Sequence, residues 1–372
     1  MENFIVSARK YRPMTFDSVV GQAHITTTLK NAIRTGQLAQ AFLFCGPRGV
    51  GKTTCARILA KTINCTNPTA DMEACGECES CRSFSNGQSM NIFELDAASN
   101  NSVEDIRSLV EQVRIPPQTG RFKVYIIDEV HMLSAAAFNA FLKTLEEPPA
   151  YAKFILATTE KHKIIPTILS RCQVFDFKRI ETRDIVKHLE FVAKNENVAF
   201  EPEAIQLIAQ KAEGGLRDAL STFDQLVSFS NGNLTKQRCL ENLNMLDSDY
   251  YFRFVDMFRN GDVAGVLNLY QEVIDKGFDG QHFVTGLTEH IRNLVVACDP
   301  ATHNLLDVTD ANRQRFAAQS QQCGLALLMR YLEIASDYEY RFRDAGNKRL
   351  FVEVALMKLA AVTKNLQPST AG

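Results

Sequence analysis

One stretch narrows the choice of folds more than any other: Cys45-Gly46-Pro47-Arg48-Gly49-Val50-Gly51-Lys52-Thr53-Thr54. An apolar run, Gln40-Ala41-Phe42-Leu43-Phe44, precedes it and reads as a buried strand. Cys55 to Asn64 follows, with Ile58, Leu59 and Ile63 recurring on one side of a helix. Strand, Gly-x-x-x-x-Gly-Lys-Thr, helix is the context that a phosphate-binding loop requires. Gly46, Gly49 and Gly51 let the backbone bend until its N–H groups converge on phosphate oxygens. The helix N-terminus adds partial positive charge at the same point. Lys52 is expected to reach the β- and γ-phosphates and the Thr53 hydroxyl to ligate Mg²⁺. Pro47, Arg48, Val50 and Thr54 are expected to complete the nucleotide cradle. The competing reading, a glycine-rich turn with a chance lysine, explains neither flank.

With 372 residues the chain has room for two or three domains. Lys+Arg 41 against Asp+Glu 43 gives a net charge of -2, so any nucleic-acid contact must come from a local basic surface. No apolar run is long enough to cross a bilayer. Met1-Glu2-Asn3-Phe4-Ile5-Val6-Ser7 lacks a basic start followed by an apolar core, so no signal peptide is expected. Ten cysteines without an export signal suit thiols or metal ligands in a reducing compartment, with the cytoplasm as default.

Four of those cysteines, Cys65, Cys75, Cys78 and Cys81, follow the phosphate-loop helix. The run from Cys75 to Cys81 places three thiolates in one tight loop, and Cys65 closes a tetrahedron from the helix end. Structural zinc is the favoured reading; an iron–sulfur cluster also uses four thiolates, and spacing does not exclude it. Buried thiols in a short polar loop are the bland alternative. Cys45, Cys55, Cys172, Cys239, Cys298 and Cys323 read as small core residues.

Further strands are expected at Met90–Asp96, Phe122–His131, Lys153–Thr159 and Cys172–Phe177. Five strands alternating with helices predict a parallel, doubly wound α/β sheet. The third strand ends in Asp128 and Glu129. Asp128 is placed to hold Mg²⁺ and Glu129 to orient and activate an attacking water. Thr159 ends the fourth strand, where it either touches the γ-phosphate or water or simply caps the strand. Arg171 lies between a short helix at Pro166 and the fifth strand, ordinarily a surface position. Arg9-Lys10-Tyr11-Arg12-Pro13 lies upstream of the loop, either as a solvated turn or packed on the base and ribose of a nucleotide. From Glu181 the pattern is helical: Asp184 to Asn195, Glu201 to Glu213 and Leu216 to Ser230, then a link, then helices from about Asp247 to Gln367. The polar end, Gln367 to Gly372, is expected to fray.

Taken together, these stretches resemble the AAA+ ATPases and, within them, the gamma/tau family of bacterial DNA polymerase III clamp-loader subunits. Lys10-Tyr11-Arg12-Pro13, Val20-Gly21-Gln22, the phosphate loop, the four-cysteine insert, Asp128-Glu129-Val130-His131, Leu145-Glu146-Glu147-Pro148-Pro149 and Ser170-Arg171-Cys172 carry the likeness, close to about residue 243 and weaker beyond. The resemblance implies a P-loop nucleotide domain with a zinc insert over 1–179, a small helical lid over 180–243 and a helical collar over 244–368. It implies ATP, Mg²⁺ and Zn²⁺ as cofactors, with Arg12, Val20 and Gly21 at the nucleotide. Thr159 would be the first sensor, Arg217 the second, and Arg171 an arginine finger acting on a neighbouring subunit's ATP. Expected partners are the other clamp-loader subunits in a ring with several copies of this chain, a sliding clamp and primed DNA. The polymerase core joins them if the natural protein continues further. The expected activity is ATP hydrolysis that loads the clamp; the other readings are a non-catalytic scaffold subunit and a different AAA+ remodelling enzyme.

Overall fold

The computed structural model describes residues 5–117 and 120–366, with side chains described to 363. The readings made for Met1 to Phe4 and for 367–372 lie outside the described residues.

The five expected strands form one sheet: β1 (Ala41–Cys45), β2 (Ile92–Asp96), β3 (Lys123–Asp128), β4 (Ala152–Thr158) and β5 (Gln173–Asp176). All pairings are parallel, in the order β2-β3-β4-β1-β5. β1, β3 and β4 are almost wholly buried, as strands covered on both faces must be. Alternation divides β1 between two cores. Phe42 and Phe44 pack with Ile25, Leu29, Ile58 and Leu59, from helices Ala23–Thr35 and Lys52–Ile63. Leu43 faces a core with Ile106, Leu109, Phe138 and Phe141, from helices Val103–Val113 and Ala135–Glu146. The sheet is therefore doubly wound. The chain leaves β1 for the far edge at β2, returns through β3 and β4, then crosses to β5 on the other side of β1. That reversal next to β1 is where such sheets open a crevice at the strands' carboxyl ends. The register sets those ends level: Cys45 pairs with Thr158, and Asp128 with Asp96.

The helix boundaries follow local chemistry. Ser102 and Asp105 form a capping box, Ser134 accepts the Ala137 amide, and Pro166 stands in the first turn of its helix. The structure adds elements that the sequence reading lacks. Ser7–Lys10 is a short helix, and Cys81 lies on a helix, Glu79–Ser85, rather than in a loop. The expected link after residue 233 contains a helix, Lys236–Leu243, capped by Thr235.

The chain divides into two compact units, Met1–Asn197 with Ile208–Gln225, and Val198–Leu207 with Leu226–Gly372. The first holds the sheet. The second is helical, apart from a two-residue strand pair, Ala199–Phe200 with Asn233–Leu234. Its core gathers Phe254, Phe258, Leu294, Tyr331 and Leu356 from four of its long helices. Among the described residues no helix is long and apolar enough to cross a membrane.

Candidate functional site

The loop after β1 is shaped by its glycines. Gly46 has φ 148°, and a Cβ there would lie 2.5 Å from the Phe177 carbonyl. Gly49 has φ 77°, and its bare Cα lets the backbone of Gly215 approach. Helix Lys52–Ile63 starts directly after Gly51, so its free N–H groups open on the loop. Lys52 is 6% exposed, and its Nζ donates to the carbonyls of Gly46 (2.8 Å) and Pro47 (2.7 Å). Burial lowers its pKa, while Glu129 and Asp128 act in the opposite direction.

The carboxylates arrive from β3. Thr53 Oγ1 donates to Asp128 Oδ2 at 2.6 Å, so the two residues expected to hold Mg²⁺ meet across the sheet edge. Glu129 leaves the strand with φ 47°, a conformation that costs a non-glycine residue roughly 1–3 kcal/mol. That turn separates its side chain from that of Asp128. Glu129 Oε2 accepts from the Thr159 amide (3.2 Å) and Thr159 Oγ1 (3.0 Å). His131, nearly buried, lies with Nδ1 3.4 Å from the same oxygen and Nε2 3.0 Å from Glu160.

A single pocket joins these groups. Its walls include Arg12, Val20, Arg48 to Thr54, Asp128, Glu129 and Arg217 from the expected set. Gly21, Gly46, Pro47, Thr159 and Arg171 are not among the lining residues. Gly21 stands behind the wall, where a Cβ would meet Ile180 at 2.9 Å. Arg12 Nε donates to Thr54 Oγ1 at 3.3 Å; burial, then the neighbouring Arg57, lowers its pKa. The Arg217 amide reaches the Gly49 carbonyl at 3.4 Å, bringing the start of helix Leu216–Phe229 onto the loop. Arg171 instead pairs with Glu146 (2.8 Å) and the Thr167 carbonyl (2.7 Å). Tyr11, from the Arg9–Pro13 stretch expected beside base and ribose, lines the pocket, as do Ile180, Leu216 and Leu220, which sequence reading did not single out. Those three are ordinary apolar residues, with no spacing to mark them.

The Sγ atoms of Cys65, Cys75, Cys78 and Cys81 all lie within 4.8 Å of one another. Cys65 and Cys75 are 3.5 Å apart and Cys65 and Cys78 4.0 Å, near the ~3.8 Å edge of a tetrahedron with zinc–sulfur bonds of about 2.3 Å. Backbone amides of Asn67 and Cys75 point at Cys65 Sγ. Burial works against ionising Cys78, but hydrogen bonds from Thr66 and Cys81 outweigh it and bring the thiol down to about 6. A soft, four-thiolate, tetrahedral donor set fits Zn²⁺. Of the other cysteines, Cys45, Cys55 and Cys239 are buried, and Cys172, Cys298 and Cys323 are half-buried.

Three family models match consecutive parts of the chain. They describe the DNA polymerase III delta subunit (residues 21–181), the DNA polymerase III clamp loader subunit ATPase lid domain (184–232), and domain III of DNA polymerase III subunits gamma and tau (235–371). The DNA polymerase III subunit gamma of Buchnera aphidicola is 34% identical over 96% of this chain and 97% of its own length. The chain belongs to the gamma/tau family of DNA polymerase III subunits. Its doubly wound sheet and helical C-terminal part are the AAA+ architecture of that family. The tau subunit of Bacillus subtilis is 39% identical over 94% of this chain, and that of Escherichia coli 46% identical over 74%. The chain spans only 62% and 43% of those two gamma/tau relatives.

Proposed function

We propose that this chain is an ATP-hydrolysing clamp-loader subunit that places a sliding clamp on primed DNA. The observation that carries the reading is the 2.6 Å contact of Thr53 with Asp128, beside a Glu129 carboxylate held by Thr159. In this reading Lys52 and the loop amides bind the phosphates, and Thr53 and Asp128 hold Mg²⁺, which offsets charge on the transferring phosphoryl group. Glu129 orients the attacking water, and Thr159 fixes the position of Glu129. Arg12, Val20 and Arg217 wall the nucleotide, with Gly21 supporting the wall. Arg171, engaged on the surface with Glu146, is available to serve a neighbouring subunit. Cys65, Cys75, Cys78 and Cys81 hold structural zinc.

The proposed partition is a nucleotide domain over 1–179, a lid over 180–243 and a collar over 244–368. Other loader subunits, the clamp, primed DNA and, through any further domains, the polymerase core are the proposed partners, in the cytoplasm. Intact Lys52, Thr53, Asp128 and Glu129 speak against a non-catalytic scaffold. The test is ATP turnover by the chain alone and with partner subunits, clamp and primed DNA. DNA-stimulated turnover supports the reading; no turnover in any mixture overturns it.

A further inference from the structure

Glu73 is a buried carboxylate, 7% exposed, that neither the proposed chemistry nor the proposed metal site uses. It lies between Cys65 and Cys75 in the sequence. Its Oε2 accepts the Phe16 amide at 2.9 Å, and its Oε1 accepts the Asp17 amide at 3.1 Å and Lys30 Nζ at 2.9 Å. Lys30 also reaches Asp17 at 2.7 Å. Glu73 is itself fixed to its own loop: its amide donates to Thr69 Oγ1 (3.2 Å) and its carbonyl accepts the Thr69 amide (2.9 Å). One charged group thus joins the cysteine-bearing segment to the Phe16–Ser18 turn by charge-assisted bonds.

That turn leads directly into Val19 and Val20, which line the pocket. Phe16, 1% exposed, anchors the turn in the core shared with Val19 and Val50. Val19, Val20, Ile180 and Leu220 are apolar and offer nothing to phosphate oxygens. With the loop amides taking the phosphates, this wall is left to the base and ribose.

We propose that Glu73 is a positioning residue that fastens the four-cysteine segment to the base-side wall of the nucleotide pocket, so that metal occupancy of the segment sets nucleotide affinity. The proposal rests on the nucleotide-site reading above. It explains why an insert that contributes no side chain to the pocket is built against the segment that walls it.

The test is binding of a fluorescent ADP analogue to the full chain, with inorganic pyrophosphate as competitor, and zinc content measured in parallel. Glu73→Gln keeps the shape but loses the charge and one strong acceptor. It is expected to weaken ADP about tenfold, the size of one lost charge-assisted hydrogen bond, with pyrophosphate affinity unchanged. Stripping metal from the wild type with a chelator is expected to give the same selective loss, and stripping Glu73→Gln to add none. ADP binding by Glu73→Gln equal to wild type overturns the proposal, as does equal weakening of ADP and pyrophosphate, or wild-type ADP affinity indifferent to chelation. Should Glu73→Gln fail to fold, chelation of the wild type carries the test alone. Lys52→Ala separates the two readings: if it keeps full affinity for both ligands, the nucleotide site itself is misplaced.

Discussion

Asp128 and Glu129 are adjacent in sequence yet engage different partners, because the left-handed backbone at Glu129 turns its carboxylate to Thr159 while Asp128 stays on Thr53. Their substitutions should therefore differ. Lys52→Ala is expected to abolish ATP binding, since Lys52 is the cation buried within the loop. Glu129→Gln should leave binding within a few-fold and slow hydrolysis by about 10²–10⁴, the usual range for losing a general base. Thr159→Val should also slow hydrolysis with binding retained, because it removes the hydroxyl bond to Glu129 and leaves only the amide to hold that carboxylate. Equilibrium binding and single-turnover hydrolysis on the three variants check this, and equal loss of binding in Lys52→Ala and Glu129→Gln would show Glu129 to be misassigned. At this scale the sequence was informative where backbone chemistry restricts residue type. Gly46 and Lys52 stand in a fixed motif, whereas the contact of His131 with Glu129 depends on how a turn folds and leaves no spacing signature. Ile180 reaches the pocket by tertiary packing alone.

Among elements, β1, β3 and β4 were legible because each is an apolar run bounded by polar or turn residues and buried on both faces. The short helix at Pro166 was marked by its proline, but Glu79–Ser85 and Lys236–Leu243 carry too few turns for an apolar stripe to stand out. The four-cysteine element gives the next prediction. Purified protein is expected to hold one zinc per chain, and Cys78→Ser to lower metal content and melting temperature. Metal analysis and thermal unfolding check it. A metal-free wild type whose melting temperature ignores chelation counts against zinc, and iron with a visible absorption band would point to a cluster. Helix Gly280–Ala297 supplies a pH prediction. His290 is fully buried against Phe252 and Phe316, with Gln319 as its polar neighbour, itself bonded to Asp256. Burial drives its pKa from 6.5 to about 3; the Gln319 contact opposes this, and the positive charge of Arg315 adds to it. Between those values the unfolded chain binds a proton that the folded chain refuses. Stability is thus lost as pH falls from about 6.5 towards 3, by about 1.4 kcal/mol per pH unit. In His290→Leu the slope of unfolding free energy against pH from 6 to 4 is expected to shrink by that amount; an unchanged slope would remove His290 as the cause.

For the whole molecule, the decisive question is whether the site is complete in one chain. The pocket gathers Lys52, Thr53, Asp128, Glu129 and Arg217, but Arg171 is not in its lining and pairs with Glu146 and Thr167. Its guanidinium is a third exposed, so it can exchange Glu146 for a phosphate without a buried charge being uncovered. A fingertip arginine presented to another subunit would raise the rate by about 10³–10⁵ in the assembled state and by nothing in the isolated chain. Arg171→Ala is therefore expected to bind ATP like the wild type when alone and to lose DNA-stimulated hydrolysis in the assembled complex. Mixing separates this from a simple interface role. An Arg171→Ala chain keeps an intact pocket, and a Lys52→Ala chain keeps an intact finger. Where the two are neighbours in the right order, the Arg171→Ala pocket receives the finger of the Lys52→Ala chain, and turnover should return to part of the assemblies. If the mixture hydrolyses no faster than either variant alone, while both still assemble by gel filtration, Arg171 does not act in trans. Its pairing with Glu146 would then be its whole role.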